Sequence, residues 1–312
     1  MPELPEVQTT VSDLNNILPG LIIRDFWCDS LKMIKTPINA GEFKKNLVGK
    51  KITGLSRKGK NILINLSENF VLLIHQKMTG HLLYGKYRKE IQNLKSKIQN
   101  YKSKFKNKEK NIIWIAAEKG PLKDDPYNQY PHFVLSLSNG KHLVLSDVRK
   151  FAKIILGKKQ EIENLAEIKI LGPEPFDKKF TFLMFQEIFS KKSAKIKQAL
   201  MDQKNIAGIG NIYADEILWE AGINPLRAVK LLNEEELEKI YKAIPKILKR
   251  AIKAKGDSMS DYRRPSGAKG NYQNIQNVYR QTGELCKKND GGIIKRIKIG
   301  KRSAHFCPIH QV

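Results

Sequence analysis

The chain has 312 residues, of which 41% are hydrophobic, and it carries a formal net charge of +26 at pH 7. This composition excludes a disordered basic tail, because such a chain can bury a core and is long enough for two or three domains. The charge predicts a polyanionic partner, and nucleic acid is favoured over a membrane because no apolar run approaches the ~18 residues of a spanning helix. Three scattered cysteines and an amino end without the regions of a signal peptide predict a reduced, cytoplasmic protein.

The first half of the chain is predicted to be β-rich after one short helix. Apolar residues at helical spacing follow Pro2–Glu6 and predict a helix directly after it. Short apolar segments then dominate from Leu21 to Leu156, and Ser138–Gly140 predicts a hairpin turn. Lys86–Lys110 differs, because its apolar residues recur at spacings of three and four among many lysines, which predicts an inserted amphipathic helix.

The second half is predicted to be helical and to end in a small hairpin. Leu171–Phe176 predicts a linker, because two prolines that flank one residue do not fit a regular element. Helical patterns continue to Lys255, a Gly/Ser/Asn-rich stretch follows, and two strand-like runs come last. The predicted fold is therefore α+β and multidomain, with a β-sandwich and flanking helices over 1–171, a helical domain over 172–265 and a hairpin domain over 266–312.

Pro2 and Glu3 offer chemistry at the amino end. Methionine is normally removed before a small residue such as proline, which leaves a secondary amine at Pro2. An α-amine has an unperturbed pKa near ~8, so part of it is an unprotonated nucleophile at neutral pH. Such an amine can attack a sugar C1′ and form an iminium, while Glu3 acts as general acid and base on the opened sugar. The alternative interpretation is a helix lead-in without chemistry.

Six motifs in one order decide between these interpretations. They are Pro2–Val7, Ser56–Lys60, His75–Leu82, Asp147–Phe151, Leu171–Pro175 and Gly208–Glu216. Through them the whole chain, apart from the lysine-rich insertion, resembles the formamidopyrimidine-DNA glycosylase family. The resemblance implies a helix-two-turn-helix domain after the sandwich and a zinc-finger-like hairpin at the carboxyl end. It also implies an enzyme that removes oxidised purines from duplex DNA and then cuts the strand by β,δ-elimination.

The same resemblance implies catalytic roles for five residues. Pro2 would be the Schiff-base nucleophile and Glu3 the proton donor at the sugar, with Glu6 in support. Lys60 corresponds to the β-elimination lysine, and Arg302 to a finger-tip arginine that assists δ-elimination. By composition alone, Lys60 is indistinguishable from a solvated surface charge.

A second set of residues is implied to hold the DNA. A base that swings out of the stack leaves a vacancy, and filling it needs an apolar wedge and a flat donor, which Met78, Arg149 and Phe151 supply. The helix start at Asn211 is expected to hold a phosphate with its bare amides. Two positions depart from the family: Lys150 stands where a second arginine is usual, and Tyr130 stands where a DNA-contacting histidine is usual. The further predicted DNA contacts, which include these two departures, are Lys150, Tyr130, His132, Lys192 and Lys197.

The carboxyl-terminal hairpin also departs from the family pattern. Family members commonly hold zinc with four cysteines, whereas here Cys286, Cys307 and His310 remain. Asp290 and His305 are the candidates for a fourth ligand, and a hairpin without zinc is the alternative. No organic cofactor is expected.

The resemblance therefore predicts a monomeric, nucleoid-associated DNA glycosylase/AP lyase of base excision repair. Its expected partner is double-stranded DNA with oxidised bases, such as 8-oxoguanine and formamidopyrimidines, or with abasic sites, and no membrane is expected. One alternative is an endonuclease VIII-like glycosylase for oxidised pyrimidines, against which Leu4, the Arg149–Phe151 loop and the Gly256–Gly270 segment argue. The other is a catalytically silent DNA-binding protein on this scaffold, which the predicted catalytic residues disfavour.

Overall fold

The computed structural model describes residues 1–92, 111–190 and 192–312. Its strands are β1 (Ile23–Cys28), β2 (Ile34–Thr36), β3 (Ile52–Lys58), β4 (Asn61–Leu66), β5 (Phe70–His75), β6 (His81–Gly85), β7 (Tyr87–Gln92), β8 (Asn111–Ala116), β9 (Pro131–Leu137), β10 (His142–Ser146), β11 (Lys153–Lys158), β12 (Lys295–Ile299) and β13 (Arg302–Phe306). Its α-helices are α1 (Leu4–Asn15), α2 (Ala40–Leu47), α3 (Pro121–Asp124), α4 (Lys159–Glu163), α5 (Ala166–Lys169), α6 (Phe182–Ser190), α7 (Ile196–Met201), α8 (Asn211–Ala221) and α9 (Glu234–Lys253).

Two mainly antiparallel sheets form a sandwich in the amino-terminal lobe. One sheet has the order β1-β9-β10-β6 and the other the order β2-β11-β5-β4-β3. Phe133 and Leu135 of β9 share one buried core with Ile62 and Ile64 of β4, because residues two apart in a strand point to the same face. The prediction of an α+β fold with a β-rich amino-terminal domain is confirmed.

The predicted helix over Lys86–Lys110 is wrong in its first part. Tyr87–Gln92 forms strand β7, which pairs antiparallel with β8 from Tyr87↔Ala116 to Gln92↔Asn111. Lys, Glu and Gln are good helix formers, but intrinsic propensity is a small energy, and pairing with the β-branched segment of β8 overrides it. The rest of this prediction, over 93–110, lies outside the described residues.

A helical lobe follows the linker. Each of the helices α6 to α9 buries its apolar face in one common core. Helix α9 starts with a capping box between Asn233 and Glu236. Helix α8 ends at Gly222, whose φ of 74° is the left-handed conformation that stops a helix. No helix within the described ranges is both long enough and apolar enough to cross a membrane.

The two lobes and the carboxyl-terminal hairpin are joined by specific contacts. Glu174 of the linker accepts a hydrogen bond from the amide of Gly59 at 2.6 Å and pairs with Arg57 at 2.6 Å. Helix α1 contributes Leu4 to the core of the helical lobe and its later residues to the sandwich core. Strands β12 and β13 form the hairpin, called the finger below, and β13 packs against α8.

Candidate functional site

The carboxylate of Glu3 lies at the amino end of helix α8. Glu3 caps α1 and is 4% exposed, and its Oε1 accepts a hydrogen bond from the amide of Ile212 at 3.1 Å. The amide of Tyr213 donates to Oε2 at 3.4 Å. Gly210 allows this approach, because an added Cβ would overlap the Glu3 carboxylate. The α8 amides were predicted to hold a DNA phosphate, but two of them hold Glu3 instead.

Glu6 is buried directly behind Glu3. One carboxylate oxygen accepts the amide of Glu3 at 2.8 Å, and the other accepts the amide of Asp257 at 2.8 Å and the hydroxyl of Tyr213. Burial, reinforced by the negative charge of Glu3, raises the pKa of Glu6 to about 8. Glu6 is therefore protonated in much of the neutral population.

Lys60 faces the same carboxylates from the sandwich. Its Nζ donates to the carbonyl of Ile209 at 3.0 Å, just before α8. Burial lowers the pKa of Lys60, and the charges of Glu3 and Glu6 counteract part of that effect. Pro2 is buried and directly precedes Glu3, behind Met1, which is 44% exposed. The structure thus brings four of the predicted catalytic residues together.

Arg302 brings the finger to the same end of α8. It is exposed and begins β13, and its positive charge contributes to lowering the pKa of Lys60. Arg302 and Asn211 line one polar cavity of about 600 Å³, together with Arg280, Arg296 and Lys301. Such a cluster of cations at a helix start is suited to an anion.

Met78, Arg149 and Phe151 form one exposed group. The Arg149 guanidinium lies 3.2 Å from the Met78 sulfur and 4.4 Å from the centre of the Phe151 ring. Asp147 binds the two loops together, because it accepts hydrogen bonds from the Thr79 hydroxyl and, at 2.8 Å, from the Ala152 amide. The group presents an apolar tip and a flat donor to solvent.

A small polar cluster borders this group. Asp29 pairs with Nδ1 of His132 and with Nζ of Lys150, each at 2.9 Å. Burial alone would raise the pKa of Asp29, but the hydrogen bonds from these two partners outweigh it and hold the pKa below its usual value. Tyr130 lies next to the cluster and is 42% exposed.

Lys197 requires a correction. It was predicted to contact DNA, but it is buried, its Nζ is 2.6 Å from Asp215, and it donates to the carbonyl of Ser303. Nδ1 of His305 is 3.0 Å from the same carboxylate. This buried set fastens α7, α8 and the finger to one another. Lys192, in contrast, is only half buried and stays a predicted DNA contact.

The finger gathers three potential metal ligands. The ligand atoms of Cys286, Asp290 and Cys307 lie within 4.8 Å of one another. Burial raises the pKa of Cys286, and the Gly292 amide, helped by both thiols, lowers that of Asp290. A Cβ at Gly292 would overlap the Cys307 sulfur, so the backbone there is shaped around the thiol.

His310 stands beside this group and is not one of its members. Its Nε2 is 2.7 Å from the carbonyl of Trp219. A carbonyl only accepts, so Nε2 is the donor of this hydrogen bond, and Nδ1 is the ring nitrogen that remains for a metal. His305 is committed to Asp215 and does not join the three ligand atoms.

Sequence reasoning missed several residues that organise the site. Asp29, Asp147 and Tyr213 act through partners distant in the chain, and no local pattern indicates those partners. A signal was available for Asp215 and Glu216, since two adjacent carboxylates within the otherwise apolar run from Ile212 to Trp219 are costly unless both are paired. Glu216 accepts the amides of Asn277, Val278 and Tyr279.

Comparisons with known proteins agree with this architecture. Residues 1–154 match the formamidopyrimidine-DNA glycosylase N-terminal domain, and residues 171–263 match the formamidopyrimidine-DNA glycosylase H2TH domain. The formamidopyrimidine-DNA glycosylases of Pelotomaculum thermopropionicum and Bacillus cereus are 36% and 34% identical over 311 residues, which cover 100% of this chain and 99% of each relative.

Solved structures of similar proteins agree with these sequence matches. A complex of Lactococcus lactis Fpg with DNA containing an abasic site is 30% identical, with a TM-score of 0.79 and 99% of both chains covered. A complex of MutM with DNA containing carbocyclic 8-oxo-G gives the same values. The class defined by fold and relatives is that of DNA N-glycosylases with AP lyase activity. The chain belongs to the formamidopyrimidine-DNA glycosylase family.

Proposed function

We propose that this protein excises oxidised purines, namely 8-oxoguanine and formamidopyrimidines, from double-stranded DNA and then cuts the strand by β,δ-elimination. The observation that carries the proposal is the buried Glu3 carboxylate between Pro2, Lys60 and the start of α8. An acid/base group, an amine and a second amine with a lowered pKa in one place are what a Schiff-base lyase needs.

In this proposal Pro2 is the nucleophile once Met1 is removed. Its secondary amine attacks C1′ of the damaged nucleotide, the N-glycosidic bond breaks, and the base leaves with the bonding electron pair and takes up the proton that the amine loses. Glu3 donates a proton to the sugar as the ring opens, and the two α8 amides keep its carboxyl group in place. Lys60 and Arg302 then serve the β- and δ-elimination steps.

The DNA is proposed to cross the Met78–Arg149–Phe151 group and the polar cavity at Asn211. Met78 and Phe151 fill the vacated place in the stack, and Arg149 pairs with the orphaned base. The remaining proposed DNA contacts are Tyr130, His132, Lys150 and Lys192. The three-part division into 1–171, 172–265 and 266–312 is proposed as the domain organisation.

We also propose that the finger binds zinc through Cys286, Cys307 and Asp290, with Nδ1 of His310 as the fourth donor. Two thiols, a carboxylate and a histidine whose Nε2 is bound to a backbone carbonyl fit the preferences of zinc. Bound zinc would supply folding energy to the hairpin that carries Arg302.

Oxidised pyrimidines are a second candidate substrate. One relative, the Lactococcus lactis enzyme, has been solved with DNA containing an oxidised pyrimidine. Incision of matched duplexes that carry 8-oxoguanine or an oxidised pyrimidine separates the two. We expect faster cleavage of the purine substrate, and the reverse order would reassign the substrate.

Sodium borohydride trapping on an abasic-site duplex tests the chemistry. We expect a covalent adduct on the amino-terminal peptide by mass spectrometry. Lys60→Ala is the control, because it should still be trapped while strand cleavage falls. An adduct on the Lys60 peptide, or none, would contradict the assignment of Pro2.

A further inference from the structure

Residues 256–262, called the site loop below, follow helix α9 and form neither helix nor strand. The loop begins at Glu6, because the amide of Asp257 donates to a carboxylate oxygen of Glu6 at 2.8 Å. It ends at the same residue, since the hydroxyl of Tyr262 donates to the Glu6 carbonyl at 3.2 Å. Burial and, to a smaller extent, the negative charge of Glu3 raise the pKa of Asp257, so the loop also lies near Glu3. The site loop therefore borders both carboxyl groups.

The side chain of Arg263 fixes the end of the site loop to the amino-terminal lobe. It is 2% exposed, and its Nε donates to a carboxylate oxygen of Asp125 at 2.6 Å. The guanidinium carbon also lies 4.8 Å from the centre of the Tyr127 ring. Its Nη1 donates to the carbonyls of Ser260 at 2.7 Å and of Tyr262 at 2.8 Å. One side chain thus joins two carbonyls of the loop to a carboxylate of the other lobe.

The turn after Arg263 is held by separate contacts. The Pro265 carbonyl accepts the amide of Tyr84 at 2.7 Å, and the Gly267 carbonyl accepts the side-chain amide of Asn128 at 3.1 Å. These hydrogen bonds do not involve the guanidinium. Loss of the guanidinium should therefore loosen the site loop and leave the turn in place.

The buried Arg263–Asp125 pair is better suited to setting a shape than to adding stability. Taking both charges out of water costs free energy that their attraction only roughly offsets, so apolar side chains of similar size would join the two lobes as firmly. A guanidinium differs from them because its donors lie in one plane at fixed angles. It accepts only one arrangement of the two loop carbonyls.

We propose that Arg263 and Asp125 are positioning residues that hold the site loop against the base of the damaged nucleotide. The inference rests on the proposed function, in which C1′ of that nucleotide reaches Pro2, so that the attached base lies beside the loop. Met259, in the middle of the loop, is 39% exposed and leaves a face open to the base. A fixed loop keeps the base in one orientation while the N-glycosidic bond breaks. An abasic site has no base, so its cleavage does not need the loop.

Arg263→Met tests this proposal, because methionine keeps the apolar stem and removes every donor. In single-turnover reactions, base release from the lesion duplex that the wild-type protein cleaves faster should fall about tenfold or more. Incision of a duplex with a preformed abasic site should stay within about twofold of wild type. Asp125→Asn should act in the same direction. Arg263→Met/Asp125→Asn should be no slower than Arg263→Met, because the two residues act as one pair.

Arg227→Met is the matched control. Arg227 also pairs with a carboxylate, that of Glu236, and donates to a backbone carbonyl, that of Leu231, but it does so within the helical lobe. It should lose stability in urea denaturation as Arg263→Met does, and keep the wild-type ratio of base release to abasic-site incision. An equal fall of both rates in Arg263→Met, or unchanged base release, overturns the proposal. A wild-type protein that fails to incise the abasic-site duplex would instead contradict the proposed function, and this inference with it.

Discussion

Glu6 lies between the Glu3 amide, the Asp257 amide and the Tyr213 hydroxyl, with 1% of its surface exposed. Its pKa of about 8 follows from burial first and from the Glu3 charge second. The Glu3 carboxylate is held separately, by the amides of Ile212 and Tyr213 at the start of α8. Glu6 is therefore largely protonated at neutral pH.

We predict that Glu6→Gln changes how stability depends on pH. The folded protein keeps a proton on Glu6 between pH 4.5 and about 8 that the unfolded chain has lost, so the free energy of unfolding should fall as pH rises through this window. Above it the curve should level off. Urea denaturation at a series of pH values should give a flatter curve for Glu6→Gln, and parallel curves for the two proteins would contradict the raised pKa.

Among the elements, α7, α8 and the finger meet at the buried Lys197–Asp215–His305 set. We predict that Lys197→Met costs about 3–5 kcal/mol in the free energy of unfolding, because Asp215 then loses its buried cation. The salt dependence of DNA affinity should stay unchanged. Lys197→Met/Asp215→Asn should recover part of the stability, since no unpaired charge remains.

Lys192→Met is the matched comparison for this prediction. As a proposed phosphate contact it should lower the slope of log affinity against log salt by about one, with little effect on stability. Filter binding over a series of salt concentrations measures both slopes. A lowered slope for Lys197→Met, equal to that of Lys192→Met, would show that Lys197 contacts DNA.

The finger gives a prediction about metal content. Asp290→Ala and His310→Ala should each lower the zinc content of purified protein below that of the exposed control Glu284→Ala. Since burial raises the pKa of Cys286, zinc affinity should also fall as the pH is lowered and protons compete for the thiol. Elemental mass spectrometry with a chelator competition reports both. Full zinc in His310→Ala would remove His310 from the ligand set.

Local sequence patterns predicted where the helices and strands lie better than they predicted which distant residues each side chain contacts. Strand β4 (Asn61–Leu66) is one of the short apolar segments predicted between Leu21 and Leu156, because its apolar run is a local signal. Lys197 gave no such signal, since a lysine in a basic stretch looks the same whether it meets phosphate or Asp215. The capture of Glu3 by Ile212 also joins residues more than two hundred positions apart, which no spacing rule reaches.

At the scale of the whole molecule, the close approach of Glu3 to Gly210 of the helical lobe can be tested. Gly210→Ala should push the Glu3 carboxylate off the α8 amides and lower strand incision about tenfold or more, while DNA affinity changes much less. Gly54→Ala is the control, because its Cβ would meet only an ordinary contact at 3.7 Å. Equal activity of the two variants, measured on the same lesion duplex, would show that this close approach is not needed.

Helix α1 belongs to two cores at once, with Leu4 in the helical lobe and Val7, Val11 and Leu14 in the sandwich. Neither lobe is therefore a self-contained module. A recombination event that exchanged the sandwich for another domain would take α1 with it and open the second core at Leu4. Evolution of this chain is consequently expected to proceed by insertion at surface turns rather than by shuffling of its lobes.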